Sequence, residues 1–211
     1  MNVAAAAALE RLRSGNRRFV DEMRRDAGTN HERRSALAAG QEPFAIVLGC
    51  SDSRVPAEIV FDQGLGDLFV IRVAGNIVAP SQVASIEFAA ARFGTRLVVV
   101  LGHSQCGAIL ATLEELDRPQ EKRSESFRAI VDRVRPAVEK VLAAAPPRAA
   151  GGGPGEDAIV REAVRANVRQ SVTLLQHGSA LVERMITSEG LLVVGAEYSL
   201  ETGVVEFFDG L

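Results

Sequence analysis

Tryptophan is absent from the 211-residue chain, tyrosine occurs once, and cysteine only twice, at Cys50 and Cys106. Two cysteines in a chain of this length exclude a secreted disulfide scaffold, which packs several bridges into a short sequence. An excess of one charge is missing as well. The 24 Lys and Arg against 27 Asp and Glu leave a formal charge of −3, and no basic stripe is present to track a phosphate backbone. Nucleic acid is therefore not an expected partner. Long apolar runs are also lacking. Val3–Leu9 and Leu97–Leu101 are clean but fall far short of the roughly 18 residues that a spanning helix needs. The Ala-rich run has no basic residue before it and passes directly into Glu10-Arg11-Leu12-Arg13, the pattern of an amphipathic helix rather than a signal segment. The expectation is a cytoplasmic protein without membrane contact.

What is present reads as one domain over residues 1–211, large enough to bury roughly 70% of its unfolded surface. Leu9, Leu12, Phe19 and Met23 suggest a helix over about residues 3–25 within an N-terminal helical arm, 1–40, suited to packing on a partner subunit. An α/β core over 43–211 follows. Four short, wholly apolar runs fit strands buried on both faces: Phe44–Leu48, Leu68–Ile71, Leu97–Leu101 and Leu191–Val194. Helical spacing appears over Ser81–Phe93, Ala108–Leu116, 126–145 and 158–188. Pro146-Pro147 and the Gly151–Gly155 stretch read as a turn or mobile loop between the last two. Val204–Phe208 can return as a hairpin strand after Glu201-Thr202-Gly203. The fold expected is α/β, with about four parallel strands plus an antiparallel C-terminal strand, flanked by helices.

Two segments repeat one plan, an apolar strand followed by Gly and a residue able to bind metal: Gly49-Cys50-Ser51-Asp52-Ser53-Arg54 and Gly102-His103-Ser104-Gln105-Cys106-Gly107. Open α/β sheets bind ligands beyond the carboxyl ends of their strands, where strand order reverses. If the two strands are neighbours, Cys50, His103 and Cys106 converge. Two thiolates and an imidazole favour Zn2+ over magnesium or calcium, and three protein ligands leave a tetrahedral ion one open position for an activated water. The plainer reading is two buried cysteines acting as small hydrophobes, since a lone His-x-x-Cys often binds nothing. Asp52 is open to two readings. It could close the fourth position, or, held off by the Arg54 fork, accept a hydrogen bond from water and orient it.

Cys50-Ser-Asp-Ser-Arg-Val55, Arg72-Val-Ala-Gly-Asn76, Ser85-Ile-Glu-Phe88 and Gly102-His-Ser-Gln-Cys-Gly-Ala108 together resemble the β-class carbonic anhydrases in order and spacing, over nearly the whole chain. That resemblance implies zinc on Cys50, His103 and Cys106 and an Asp52–Arg54 dyad. It implies reversible hydration of carbon dioxide to bicarbonate and a proton by zinc-bound hydroxide. It further implies a homodimer with sites at its interface, or a tetramer of such dimers. Gln41, nine residues before Cys50, matches the substrate amide of members whose site stays open. Val47 stands where members with a bicarbonate-inhibited state carry Trp. Phe69 and Ala74 match pocket-lining positions, and Phe88 replaces a frequent Tyr. His31 and His177 lie outside the motifs and suggest no proton shuttle. Rival readings are a hydrolase of carbonyl sulfide or carbon disulfide on the same scaffold, and a noncatalytic zinc or thiol-switch module.

Overall fold

The computed structural model describes residues 3–25, 30–117, 127–144 and 154–211. Five strands form one sheet: β1 Ala45–Gly49, β2 Leu68–Arg72, β3 Leu97–His103, β4 Leu192–Tyr198 and β5 Val205–Asp209. Their order is β2-β1-β3-β4-β5, parallel through β4 and antiparallel at β5, as the sequence suggested. Both faces of the sheet are covered, which explains runs without polar alternation. Along β1 and β3 the side chains divide by a period of two. Ala45, Val47, Leu97, Val99 and Leu101 pack on one face, and Ile46, Leu48, Val98 and Val100 on the other.

Eight helices flank the sheet in the described residues: α1 Ala5–Val20, α2 His31–Leu37, α3 Ala57–Val60, α4 Pro80–Phe93, α5 Gly107–Asp117, α6 Arg128–Ala144, α7 Pro154–His177 and α8 Ala180–Ser188. α1 is shorter than its apolar spacing suggested, because Glu22 turns left-handed at φ 57° and ends it. Ala8 and Leu12 are fully buried in the chain's own core, in the layer that holds Val60, Phe61 and Val99. Gly15 allows the close approach, since a Cβ there would stand 1.8 Å from the Phe61 carbonyl oxygen. Asn16 fastens the end of α1: its Nδ2 donates to the Val60 and Gly203 carbonyls, at 3.1 and 2.8 Å, and its Oδ1 accepts from Val205 N at 2.8 Å.

The single helix expected over 158–188 is two. Gly178 interrupts it, and Ser179 caps α8 by accepting from Val182 N. The short α2 and α3, and a 3-10 turn at Ala74–Asn76, carry too few residues to show a period. The Pro146-Pro147 stretch and residues 151–153 lie outside the described residues, whereas Pro154 and Gly155 open α7. A third apolar cluster sits over the carboxyl ends of β1 and β3. There Ile109 and Leu113 of α5, Val134 and Val138 of α6 and Val164 of α7 enclose Cys50 and Cys106.

Candidate metal centre

β1 and β3 are hydrogen-bonded neighbours, with Gly49 paired to Leu101, so both loops leave the sheet side by side. The order in which strands are added to the sheet reverses here, since β2 lies on one side of β1 and β3 on the other. Cys50 follows β1 and His103 ends β3. Gln105, left-handed at φ 52°, swings the chain so that Cys106 heads α5 facing the same volume. All three residues are buried, and their ligand atoms lie within 4.8 Å of one another.

The donor set fits a tetrahedral cation. Cys50 Sγ and Cys106 Sγ are 3.9 Å apart, far beyond a disulfide bond. Two sulfurs at ordinary zinc–thiolate distance on a tetrahedral ion would stand about 3.8 Å apart. His103 is completely buried, and its Nδ1 lies 2.9 Å from the Ser104 carbonyl. A carbonyl only accepts, so Nδ1 carries the proton and Nε2 presents a bare lone pair. That Nε2 has no hydrogen-bond partner, a costly arrangement in a core unless a cation completes it. Hydrogen bonding from Cys106 lowers the Cys50 thiol to about 4, against the opposing effect of burial, and the Gly75 and Asp52 main-chain N–H groups add to it. The same sulfur–sulfur contact, together with burial, pushes the Cys106 thiol upward.

Asp52 stands at the rim. Arg54 grips it as a fork, with Nε donating to Oδ1 at 2.9 Å and Nη2 to Oδ2 at 2.7 Å, and Arg54 N adds a bond to Oδ1 at 3.0 Å. These bonds hold the Asp52 carboxyl far below the usual carboxylate range. Oδ2 remains 3.9 Å from His103 Nε2. The carboxylate is therefore beside the cluster and is held there by Arg54.

Residues 45–205 match the family described as carbonic anhydrase. The chain belongs to the β-class carbonic anhydrases. It is 39% identical over 205 residues to a carbonic anhydrase of Mycolicibacterium smegmatis, covering 97% of this chain and 94% of that protein. It is 37% identical over 202 residues to carbonic anhydrase 2 of Mycobacterium tuberculosis, covering 96% and 92%. Among solved structures, a β-carbonic anhydrase of Aspergillus fumigatus superposes with a TM-score of 0.73 at 26% identity, covering 98% of this chain and 91% of that one. The tetrameric β-carbonic anhydrases of Sordaria macrospora reach 0.71 at 26%, covering 92% and 93%.

Within one chain of this carbonic anhydrase, the expected site residues fall into two groups. Cys50, His103, Cys106, Asp52 and Arg54 come together, and Ala74 joins them because the adjacent Gly75 N–H reaches Cys50 Sγ at 3.4 Å. Gln41, Phe69 and Phe88 do not. Gln41 is exposed ahead of β1, at the opposite end of the strand from Cys50. Phe69 pairs with Ile46, roughly 13 Å back along the sheet at 3.3 Å per residue. Its ring stacks with Phe88 and Phe93 at centroid distances of 6.2 and 6.0 Å. Phe88 is 55% exposed, so this aromatic cluster faces outward at the β2 edge.

Two supporting groups carried no signal of their own in the sequence. Arg72 donates from Nε to the Cys50 carbonyl at 3.0 Å and from Nη2 to the Asp52 carbonyl at 2.6 Å, clamping the loop that bears both. Ser104 Oγ accepts from Leu200 N at 2.9 Å, tying the His103 loop to the β4–β5 hairpin. Arg72 lay within a recognised motif, but only the folded loop shows what its side chain holds.

Proposed function

We propose that the enzyme hydrates carbon dioxide reversibly to bicarbonate and a proton, with zinc held by Cys50 Sγ, His103 Nε2 and Cys106 Sγ. The observation that carries this reading is the buried, unpartnered His103 Nε2 facing two sulfurs 3.9 Å apart. Bound zinc supplies the Lewis acidity that makes water a nucleophile near neutral pH.

The chain's own residues do the rest. The Ser104 carbonyl fixes the His103 tautomer, so that Nε2 is the donor. Asp52, kept ionised by Arg54, accepts a hydrogen bond from the attacking water through Oδ2 and points a lone pair toward substrate. Arg72 prevents the Cys50–Asp52 loop from shifting. The apolar cluster beneath the sulfurs excludes bulk water from that side.

Gln41, Phe69 and Phe88 complete the pocket from a second copy of the chain. The position of Phe69 and Phe88 at the β2 edge, with Phe88 over half exposed, supports self-association as a dimer or a tetramer of dimers. In that arrangement the Gln41 amide polarises one oxygen of carbon dioxide, and Phe69 and Phe88 shape a small apolar recess with Ala74. Carbon dioxide is nonpolar and offers little but its shape to bind. No helix among the described residues is long and apolar enough to cross a membrane.

Stopped-flow measurement of carbon dioxide hydration on zinc-loaded protein, alongside carbonyl sulfide and carbon disulfide, tests the proposal. The expected result is fast hydration that disappears when zinc is removed and returns when it is restored. Negligible hydration at full zinc occupancy would sink it.

A further inference from the structure

Cys50 Sγ accepts two main-chain hydrogen bonds, from Asp52 N and from Gly75 N, each at 3.4 Å. The second donor sits on the 3-10 turn Ala74–Asn76, whose backbone is unusual. Gly75 has φ 71° and ψ 19°, and Asn76 follows at φ 43°. Two successive left-handed residues make a turn that the chain does not adopt by default, and only glycine enters that region freely. The turn's own bond, Asn76 N to Val73 O at 3.0 Å, closes it without fixing its tilt against Cys50.

The tilt is set from outside, by α7. Asn167 Nδ2 donates to the Gly75 carbonyl at 2.8 Å, and four residues on, Ser171 Oγ donates to the Asn76 carbonyl at 3.1 Å. Gly75 thus donates to sulfur from one side of its Cα and accepts from Asn167 on the other. α7 reaches this position because it lies close on the sheet at Val168. A Cβ on Gly102 or Gly195 would stand 2.6 or 2.8 Å from a Val168 methyl. Asn167 is 1% exposed and its Oδ1 has no partner. A half-satisfied amide is a poor core residue, so its amide bond to Gly75 is the contribution that distinguishes it from an apolar side chain.

We propose that Asn167 is a positioning residue for the metal centre. It anchors the Gly75 carbonyl so that the Gly75 N–H stays aimed at Cys50 Sγ, and thereby tunes that sulfur as a ligand. This role rests on the zinc reading above. An N–H···S bond draws electron density from a thiolate, so its loss makes the sulfur a stronger donor. The sulfur-to-metal charge-transfer band then moves to lower energy.

The experiment uses two metals as probes. In protein loaded with cadmium-113, the wild type shows scalar coupling from the metal through Cys50 Sγ to the Gly75 amide proton. Asn167→Leu, close to Asn in size, weakens that coupling while leaving the one at Asp52, and moves the charge-transfer band of the cobalt-loaded protein to lower energy. Ser171→Ala, which removes a bond to the same turn but not to Gly75, leaves both readouts in place. A Gly75 proton silent in cadmium-bound wild type overturns the role without any variant having to fold. An unmoved band in folded, cobalt-bound Asn167→Leu overturns it equally. Wild type that binds neither metal overturns the metal centre, and this role with it.

Discussion

Arg54→Ala isolates what holds Asp52 beside the cluster rather than on the metal. The substitution deletes the two fork bonds, at 2.9 and 2.7 Å, and spares the main-chain bond from Arg54 N at 3.0 Å. The Arg54 side chain is 53% exposed, and solvent screening leaves such a pair only modest strength. Without it Asp52 leaves its present position roughly 2–5 times more readily. Oδ2 already stands 3.9 Å from His103 Nε2, so a freed carboxylate reaches the fourth position by a side-chain rotation. The rate constant kcat/KM for carbon dioxide hydration is then expected to fall roughly 2–5-fold.

The loss has a signature. The three ligands are untouched, so zinc content by elemental analysis stays at the wild-type level. Asp52 is ionised at neutral pH in both proteins, because removing the fork brings a depressed carboxyl back only toward its ordinary range. The deficit therefore comes from where the carboxylate sits, not from its charge. Hydroxide competes with it for the fourth position and becomes tenfold more abundant with each unit of pH. The stopped-flow deficit is thus expected to shrink as pH rises from about 7 to about 9. Wild-type kcat/KM in fully zinc-loaded Arg54→Ala would refute the reasoning. A deficit independent of pH would reduce Arg54 to orienting water.

Cys50→Ser removes one of the three buried donors, and equilibrium dialysis against zinc is expected to show weakened metal binding, together with loss of hydration activity. Stripping zinc from the wild type with a chelator lowers Tm by calorimetry, since a ligand present at 100 times its Kd stabilises the folded state by about 2.7 kcal/mol. Asn16→Ala leaves the Val60 and Gly203 carbonyls and the Val205 N–H without their partner, and urea unfolding should report a loss of about 2–4 kcal/mol. Phe88→Asp places a charge on the exposed aromatic cluster. Sedimentation is expected to show monomers that keep their zinc but hydrate carbon dioxide slowly, and a fully active monomer would remove the second copy from the site.

The sheet was legible because burial on both faces writes itself into the sequence as short apolar runs, and β1 to β4 stand where those four runs are, while β5, which carries Glu206, is marked by the turn before it. The Cys50–His103–Cys106 cluster was legible for a related reason. Cys50 directly follows one strand that the pattern locates, His103 ends another, Cys106 stands three residues beyond it, and adjacency of β1 and β3 was the only further step. Helix ends read less well. Glu22 and Gly178 stop helices whose apolar spacing runs on past them, because a single backbone conformation outweighs periodicity there. The side chains that hold the site from behind, Arg72 and Asn167, could not be read at all. Each acts on a main-chain carbonyl, and a carbonyl looks the same at every position of a sequence.

The register of β2 shows where a motif-based assignment changes its meaning in three dimensions. Spacing from Cys50 places Gln41 and Phe69 in the pocket by resemblance, and it is silent about which chain supplies them. Parallel pairing of Phe69 with Ile46 fixes Phe69 four residues short of Cys50 along the sheet, and Gln41 lies farther back still. No side-chain rotation spans that length. If these residues serve the metal centre, they must do so for a neighbouring chain whose β2 edge meets this one. An outward-facing trio of phenylalanines on that edge is then the apolar surface through which one copy completes the site of another.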